Sequence, residues 1–241
     1  MATIDELAPL VDQVTYPVGV EKIFCETDQP AFFPGGTGII LNDLRAGRVL
    51  PRGGVLVLGH NFGTAKYVEQ LKLRRKSELY TSPTWRGLCE LLDEAGITFE
   101  ACFFSNALMG AIPGDKMEGS PKEHRQAEFR SGCVAVFCRT LELQQPSIIL
   151  ALGLKAIEFL AEAIPELEDW RELERFAAID AQSAGPVRHV TAVGAPRHVV
   201  ALVHPSRRKI NVRRRQFRNY SGREAERAMV RSVWPASPPT H

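Results

Sequence analysis

Four short apolar runs constrain what this chain can fold into: VLVLG (55–59), FEACFF (99–104), SIILALG (147–153) and VVALVHP (199–205). They are rich in β-branched or aromatic residues, and none alternates cleanly with polar ones. A strand with one wet face alternates; a strand covered on both faces does not. The runs therefore predict buried strands of a mainly parallel sheet. Helical patterns lie between them. TWRGLCELLDEAG (84–96) ends at a glycine stop, EFRSGCVAVFCRTLELQQ (128–145) is followed by Pro146, and LKAIEFLAEAI (154–164) stops before Pro165. Strands alternating with helices predict an α/β fold, a three-layer α/β/α sandwich around a mainly parallel central sheet of about four strands. PELEDWRELERFAAID (165–180) reads as a further amphipathic helix, and VRHVTAVGAPRHVVALV (187–203) as a hairpin leading into the last core strand.

A chain of 241 residues suits one large domain, and it has no internal repeat or low-complexity linker. One domain is expected over 1–234, with 1–50 as a cap, 51–234 as the core and 235–241 as a loose tail. No apolar run is long enough to span a membrane, and MATIDELAPL lacks the basic-then-apolar order of a signal peptide. A cytoplasmic, nucleoid-associated protein is expected. The five cysteines (Cys25, Cys89, Cys102, Cys133 and Cys138) are odd in number and include no CxxC pair. That argues for reduced thiols and against a disulfide frame or zinc ribbon. The six histidines show no zinc-ligand spacing, so neither metal nor cofactor is expected.

The net charge of +2 conceals an asymmetry. Between Pro205 and Arg231 ten Lys or Arg face two Glu, giving +8, so the rest of the chain carries 2 − 8 = −6. An acidic body with one basic segment predicts a local polyanion-binding surface; a solvated basic helix is the alternative.

In open parallel sheets, ligands sit beyond the carboxyl ends of the strands. Three of the four runs end in polar groups there: Gly59-His60-Asn61-Phe62-Gly63, Ser105-Asn106, and His204-Pro205-Ser206. Each alone has an ordinary explanation, since Asn after a strand forms turns or helix caps and His-Pro ends strands. Two amides and an imidazole converging on one sheet edge predict a site.

These ordered pieces, GHNFG, SNALMG, ALG and HPS, resemble the uracil-DNA glycosylase superfamily from about Val55 to about Arg208. TSPTWRGLCELLDEAGI (81–97) resembles the aromatic-then-helix segment of its iron–sulfur branches. Those branches hold a cluster with four cysteines, whereas here only Cys133 stands at a comparable place, and Ile149 occupies a position where another ligand is sought. No cluster is expected, and Cys133 is expected as a packed helix residue. Asn61 resembles the mismatch-specific and single-strand-selective branches, whereas the classical branch has aspartate followed by proline and tyrosine. Phe62 departs from the pattern.

The resemblance implies a DNA-binding monofunctional glycosylase that extrudes a pyrimidine nucleotide and hydrolyses its N-glycosidic bond. It implies catalytic roles for His204, as a neutral donor to the base anion, and for Asn61, which orients the water. His60 is a further neighbour. Asn106 would read the pyrimidine edge, Trp85 would stack on the base, and Phe62 would form a second wall. Trp85 as a core residue and Asn61 as a helix cap are the alternatives. Gly63 replaces a tyrosine that blocks C5, so the pocket would admit C5 substituents. Uracil, mispaired thymine and a modified cytosine of phage DNA all fit, the last making this an antiviral defence enzyme. Ser206 would hold a phosphate. Arg207, Arg208 and Lys209 would lead into a wedge loop with Ile210, Val212 or Arg208 as the wedge, and Arg213, Arg214 and Arg215 would track the DNA backbone. Lys116 and Lys122 in GDKMEGSPKEHRQ (114–126) would join the same face. A monomer suffices for such a site.

Two other readings stand beside this one. The first is a catalytically weak nucleic-acid-binding protein of the same fold. The second is an unrelated nucleotide-binding α/β enzyme, disfavoured because the chain has neither GxGxxG nor a phosphate loop.

Overall fold

A computed structural model describes residues 4–22, 52–67, 82–113 and 126–234. The expected sites at Cys25, Lys116 and Lys122, most of the N-terminal cap and the tail lie outside these residues. In chain order the main elements are α1 (Ala8–Gln13), β1 (Glu21–Lys22), β2 (Val55–Gly59), α2 (Pro83–Ala95), β3 (Cys102–Asn106), β4 (Gly110–Ala111), α3 (Ala127–Gln144), β5 (Ile148–Leu152) and α4 (Leu154–Ala163). There follow α5 (Phe176–Asp180), β6 (Val187–Ala192), β7 (Ala195–Leu202), α6 (Arg208–Asn211), β8 (Gln216–Phe217), β9 (Tyr220–Ser221) and α7 (Gly222–Arg231).

The central sheet has five strands in the order β3-β2-β5-β7-β6. Its first four are mutually parallel, and β6 adds an antiparallel edge. The fifth strand comes from the hairpin in 187–203, which turns at Val193 and Gly194 with φ of 51° and 71°. Positive φ at both turn residues suits the twist of a two-residue hairpin.

Alternate residues of every parallel strand enter opposite cores, which is why the sequence runs do not alternate. Leu56, Leu58, Phe103, Ile149, Ala151, Val199 and Ala201 join one core with α1, α3 and α4. Val55, Val57, Phe104, Ile148, Leu150, Leu152, Val200 and Leu202 join the other with α2 and α7. The three-layer α/β/α arrangement follows from burying both faces.

Helix ends match their local chemistry. Ser82 Oγ accepts from Thr84 N at 3.2 Å to cap α2, and Gly96 at φ 75° ends it. The expected single helix over 165–180 is instead a 3-10 stretch, Pro165–Trp170, followed by the short α5. Leu167 and Trp170 are the buried anchors, and their three-residue spacing suits a 3-10 turn. The run FEACFF is also offset: Phe99–Ala101 form a 3-10 turn, and the strand continues to Asn106.

The described part of the N-terminal segment straps the SNALMG loop. Strand β1 pairs antiparallel with β4. A Cβ at Gly110 would fall inside contact of Val20 Cγ1 and 3.3 Å from Phe129 Cζ. The Gly110→Ala protein is therefore expected to lose about 1–3 kcal/mol to overpacking in urea unfolding. Val20→Ala in the same chain should recover most of that loss.

Candidate functional site

The parallel strands end at Gly59, Asn106, Leu152 and Leu202 along one edge. The chain pairs β2 with β3 on one side and with β5 on the other. Strand order thus reverses beside the carboxyl end of β2, where crevices form in such sheets. Asn61 and His60 lie in the loop that leaves this point.

The loop is built by its own side chains. Gly63 N donates to Asn61 Oδ1 at 3.0 Å. Because an N–H can only donate, Asn61 Nδ2 is the donor facing His60 Nδ1 at 3.2 Å. His60 Nδ1 then accepts, which selects the tautomer with its proton on Nε2. Gly63 has φ 78°, a conformation that favours glycine. The backbone thus requires Gly63 for its own reasons, independently of any pocket wall. The helical turn that follows is capped by Thr64, whose Oγ1 accepts from Tyr67 N at 3.1 Å. Asn61 is a turn former here and not the cap.

The neighbouring loop runs alongside. Ala107 N donates to Gly59 O at 2.9 Å, Leu108 N to His60 O at 3.0 Å, and Ile112 N to Gly63 O at 2.9 Å. Asn106 ends β3, 4% exposed, directly across from Gly59. By strand alternation it lies on the Phe104 side of the sheet. Cys133 is fully buried in α3, and its Sγ accepts from Met109 N at 3.4 Å. Burial pushes this thiol up to about 12. It packs as the sequence led one to expect and anchors the SNALMG loop. Among the described residues no three His, Cys, Asp or Glu gather in a group that could hold a metal.

The third loop carries His204. Its Nδ1 lies 2.8 Å from Ser206 Oγ. Burial, and secondly the Arg207 charge, hold its pKa below the ordinary 6.5, so the ring is neutral at pH 7. Two glycines let neighbours approach this loop. A Cβ at Gly153, just after β5, would lie 3.1 Å from His204 Cβ. One at Gly87 of α2 would lie 2.5 Å from Pro205 O. The ALG and HPS pieces are thus in contact, and α2 presses on the histidine loop.

Behind that loop lies a network of buried ions that the sequence did not reveal. Glu226 of α7 is fully buried. Its Oε1 accepts from Val203 N at 2.8 Å and from Arg215 Nη1 at 3.3 Å, and its Oε2 accepts from Arg208 Nε at 3.0 Å. Arg208 Nη2 also donates to Glu94 at 2.7 Å, and Arg215 forks onto Asp180 at 2.9–3.2 Å. One carboxylate thereby fixes the backbone immediately before His204 and both arginines of the following segment.

Several expected contacts require correction. Arg208 and Arg215 are 3% and 0% exposed and paired inside the protein, so neither guanidinium faces DNA. Trp85 and Phe62, expected against a base, are 2% and 6% exposed, as deeply buried as Asn106 at 4%, and pack in the two cores. Trp85 packs edge-on to Phe104 with ring centres 5.1 Å apart. Val212 is 3% exposed and Ile210 is 69% exposed, which leaves Ile210 as the apolar group at the surface of the loop. Ser206, Arg207, Lys209, Arg213 and Arg214 are exposed. The sequence signal for Glu226 was a lone acid on the apolar side of GREAERAMVR, among Ala225, Met229 and Val230.

No helix among the described residues is long and apolar enough to cross a membrane. A family model described as the uracil DNA glycosylase superfamily matches residues 50–226, well over half of the chain. No curated protein matches at a significant level. The matched stretch includes every loop of the site and ends on Glu226 itself. Removing that carboxylate leaves Val203 N without its acceptor and takes a buried ion-pair partner from Arg208 and Arg215, which keep Glu94 and Asp180. The Glu226→Ala protein should lose about 3–5 kcal/mol of stability, read from its urea midpoint.

Proposed function

The chain belongs to the uracil-DNA glycosylase superfamily, and from that premise we propose that it is a monofunctional DNA glycosylase. It extrudes a pyrimidine nucleotide and hydrolyses its N-glycosidic bond. The observation that carries this reading is a neutral His204 held at the carboxyl edge, beside loops that bring Asn61 and Asn106 to the same edge. The C1′–N bond breaks with its electron pair on the base, and water supplies the new C1′–O bond. The departing base is an anion, and the sugar is cationic as the bond opens. Ser206 Oγ–H donating to Nδ1 leaves the His204 proton on Nε2, aimed at the base O2. A preorganised donor to charge that develops only at the transition state contributes about 3–4 kcal/mol.

Asn61 orients the water. Its Oδ1 has a second lone pair beyond the bond from Gly63 N. An amide takes no proton, so turnover is slower than with a carboxylate. Asn106 offers a donor and an acceptor side by side to O4 and N3–H of uracil or, flipped, to the N4/N3 edge of cytosine. The loop presents Gly63 where a ring would block C5, so the pocket admits C5-substituted pyrimidines as well as uracil. A modified cytosine of phage DNA is one such substrate, which would place the enzyme in antiviral defence. Ile210 fills the gap left by the extruded base. Lys209, Arg213 and Arg214 meet phosphates. A monomer holds every part of this site.

One observation favours a second reading, a catalytically weak DNA binder. The Asn61 amide already bonds Gly63 N and faces His60, which suffices to explain it as a turn residue.

Oligonucleotides carrying uracil, mispaired thymine or 5-hydroxymethylcytosine, treated with alkali after incubation, separate the two. Strand scission at the base that falls about 10²–10³-fold in His204→Ala supports the glycosylase. DNA binding without scission on any base supports the binder. Activity should stay flat from pH 7 to 8, because the lowered His204 pKa keeps the ring neutral across that window. A rate that falls as pH rises from 7 to 8, as a required imidazolium would give, would contradict this role.

A further inference from the structure

The two-residue hairpin of β8 and β9 is a second feature of the basic segment, outside the wedge loop. Its turn begins at Arg218, a non-glycine residue at φ 53°. Such a conformation is uncommon for arginine and carries a modest cost. Phe217 pairs across the hairpin with Tyr220, so their side chains share one face. Phe217 leans on the core, Tyr220 is 49% exposed, and the Arg218 guanidinium sits 5.0 Å over the Phe217 ring. Arg218 is exposed and makes no ion pair among the described residues, and the same holds for Arg213 and Arg214.

The hairpin stands at the edge that carries His204. Glu226 of α7 bonds Val203 N, while Met229, three residues on, shares Arg215 with Ala201 O. As α7 advances it therefore runs back along β7, away from the strand's carboxyl end. Its first residue, Gly222, lies beyond that end, and a Cβ there would be 4.0 Å from Arg213 Cα. The hairpin that delivers the chain to Gly222 is thus continuous with the exposed arginines after Ile210.

We infer that this hairpin is a second nucleic-acid contact, one that grips the single-stranded flank of the substrate. Arg218 meets a phosphate, and Tyr220 stacks on an unpaired base. A duplex covers the faces of its bases, so an exposed aromatic ring beside free arginines fits an unstacked strand. The inference rests on the DNA-acting reading above and adds a preference that the catalytic residues do not dictate.

Fluorescence anisotropy of the full chain tests it, with a single-stranded oligonucleotide of about 20 nucleotides and a fully paired duplex of the same length, over a range of salt. Arg218→Asn suits the positive φ and removes the charge. It should reduce the slope of log affinity against log salt on the single strand by roughly 0.7. Tyr220→Ala should weaken single-strand binding about fivefold or more. Both should leave duplex affinity, and excision from a duplex, within twofold. Equal losses on single strand and duplex would overturn the single-strand assignment. No loss on either, while Arg213→Ala lowers the slope, would overturn the hairpin contact and leave the glycosylase reading intact. Scission absent from every substrate, with these binding losses present, would sink the glycosylase reading and leave the contact standing.

Discussion

The carboxylate of Glu226 is fully buried, and a charge in that position has to be neutralised where it lies. Arg208 and Arg215 do so from two sides, and Val203 N completes its bonding. These partners belong to three pieces of chain: the end of β7, the loop after His204, and the entry to the β8–β9 hairpin. Folding α7 onto the sheet therefore sets the path of the whole segment from Val203 to Gly222. The strength of the network lies less in net energy than in its cost when broken, because removing one partner leaves buried charge only partly compensated. A loop fixed this way can hold an imidazole at a defined angle without a rigid strand beneath it.

The same network divides the basic segment into two populations. Arg208, Arg215, Arg223 and Arg227 pair with carboxylates of α2, α5 and α7. Arg223 joins Glu90 and Glu94 of α2 at the surface, beside the buried Arg208. Lys209, Arg213, Arg214 and Arg218 remain exposed without ion pairs among the described residues. The +8 of the segment is thus partly structural. The charge available to a polyanion is smaller than the composition suggests.

Much of the fold was legible because burial on both faces leaves an unbroken apolar run, and because Ser82, Gly96 and Pro146 punctuate helices in the ordinary way. The hairpin over 187–203 was legible, but that its first strand joins the sheet as a fifth, antiparallel member was not. What could not be read was partnership. An arginine that meets DNA and one that meets a buried glutamate are the same letter, so Arg208 and Arg215 were misplaced. Trp85 on a helix face reads equally as a stacking ring or as core, and only the folded chain shows it packed against Phe104. The positions of Asn106 and His204 at the carboxyl edge were legible because each follows directly on a buried apolar run. Gly63 was half legible: its missing side chain was noted, but its φ of 78° appears only in the folded loop.

The central claim is that this framework presents His204 as a neutral imidazole with its proton on Nε2. Nitrogen-15 NMR of the histidine rings, assigned with His204→Gln and followed from pH 5 to 8, tests it directly. The account predicts a neutral ring at pH 7 with the Nε2–H tautomer, titrating below the ordinary histidine range. An imidazolium at pH 7, or a neutral ring with its proton on Nδ1, would contradict it.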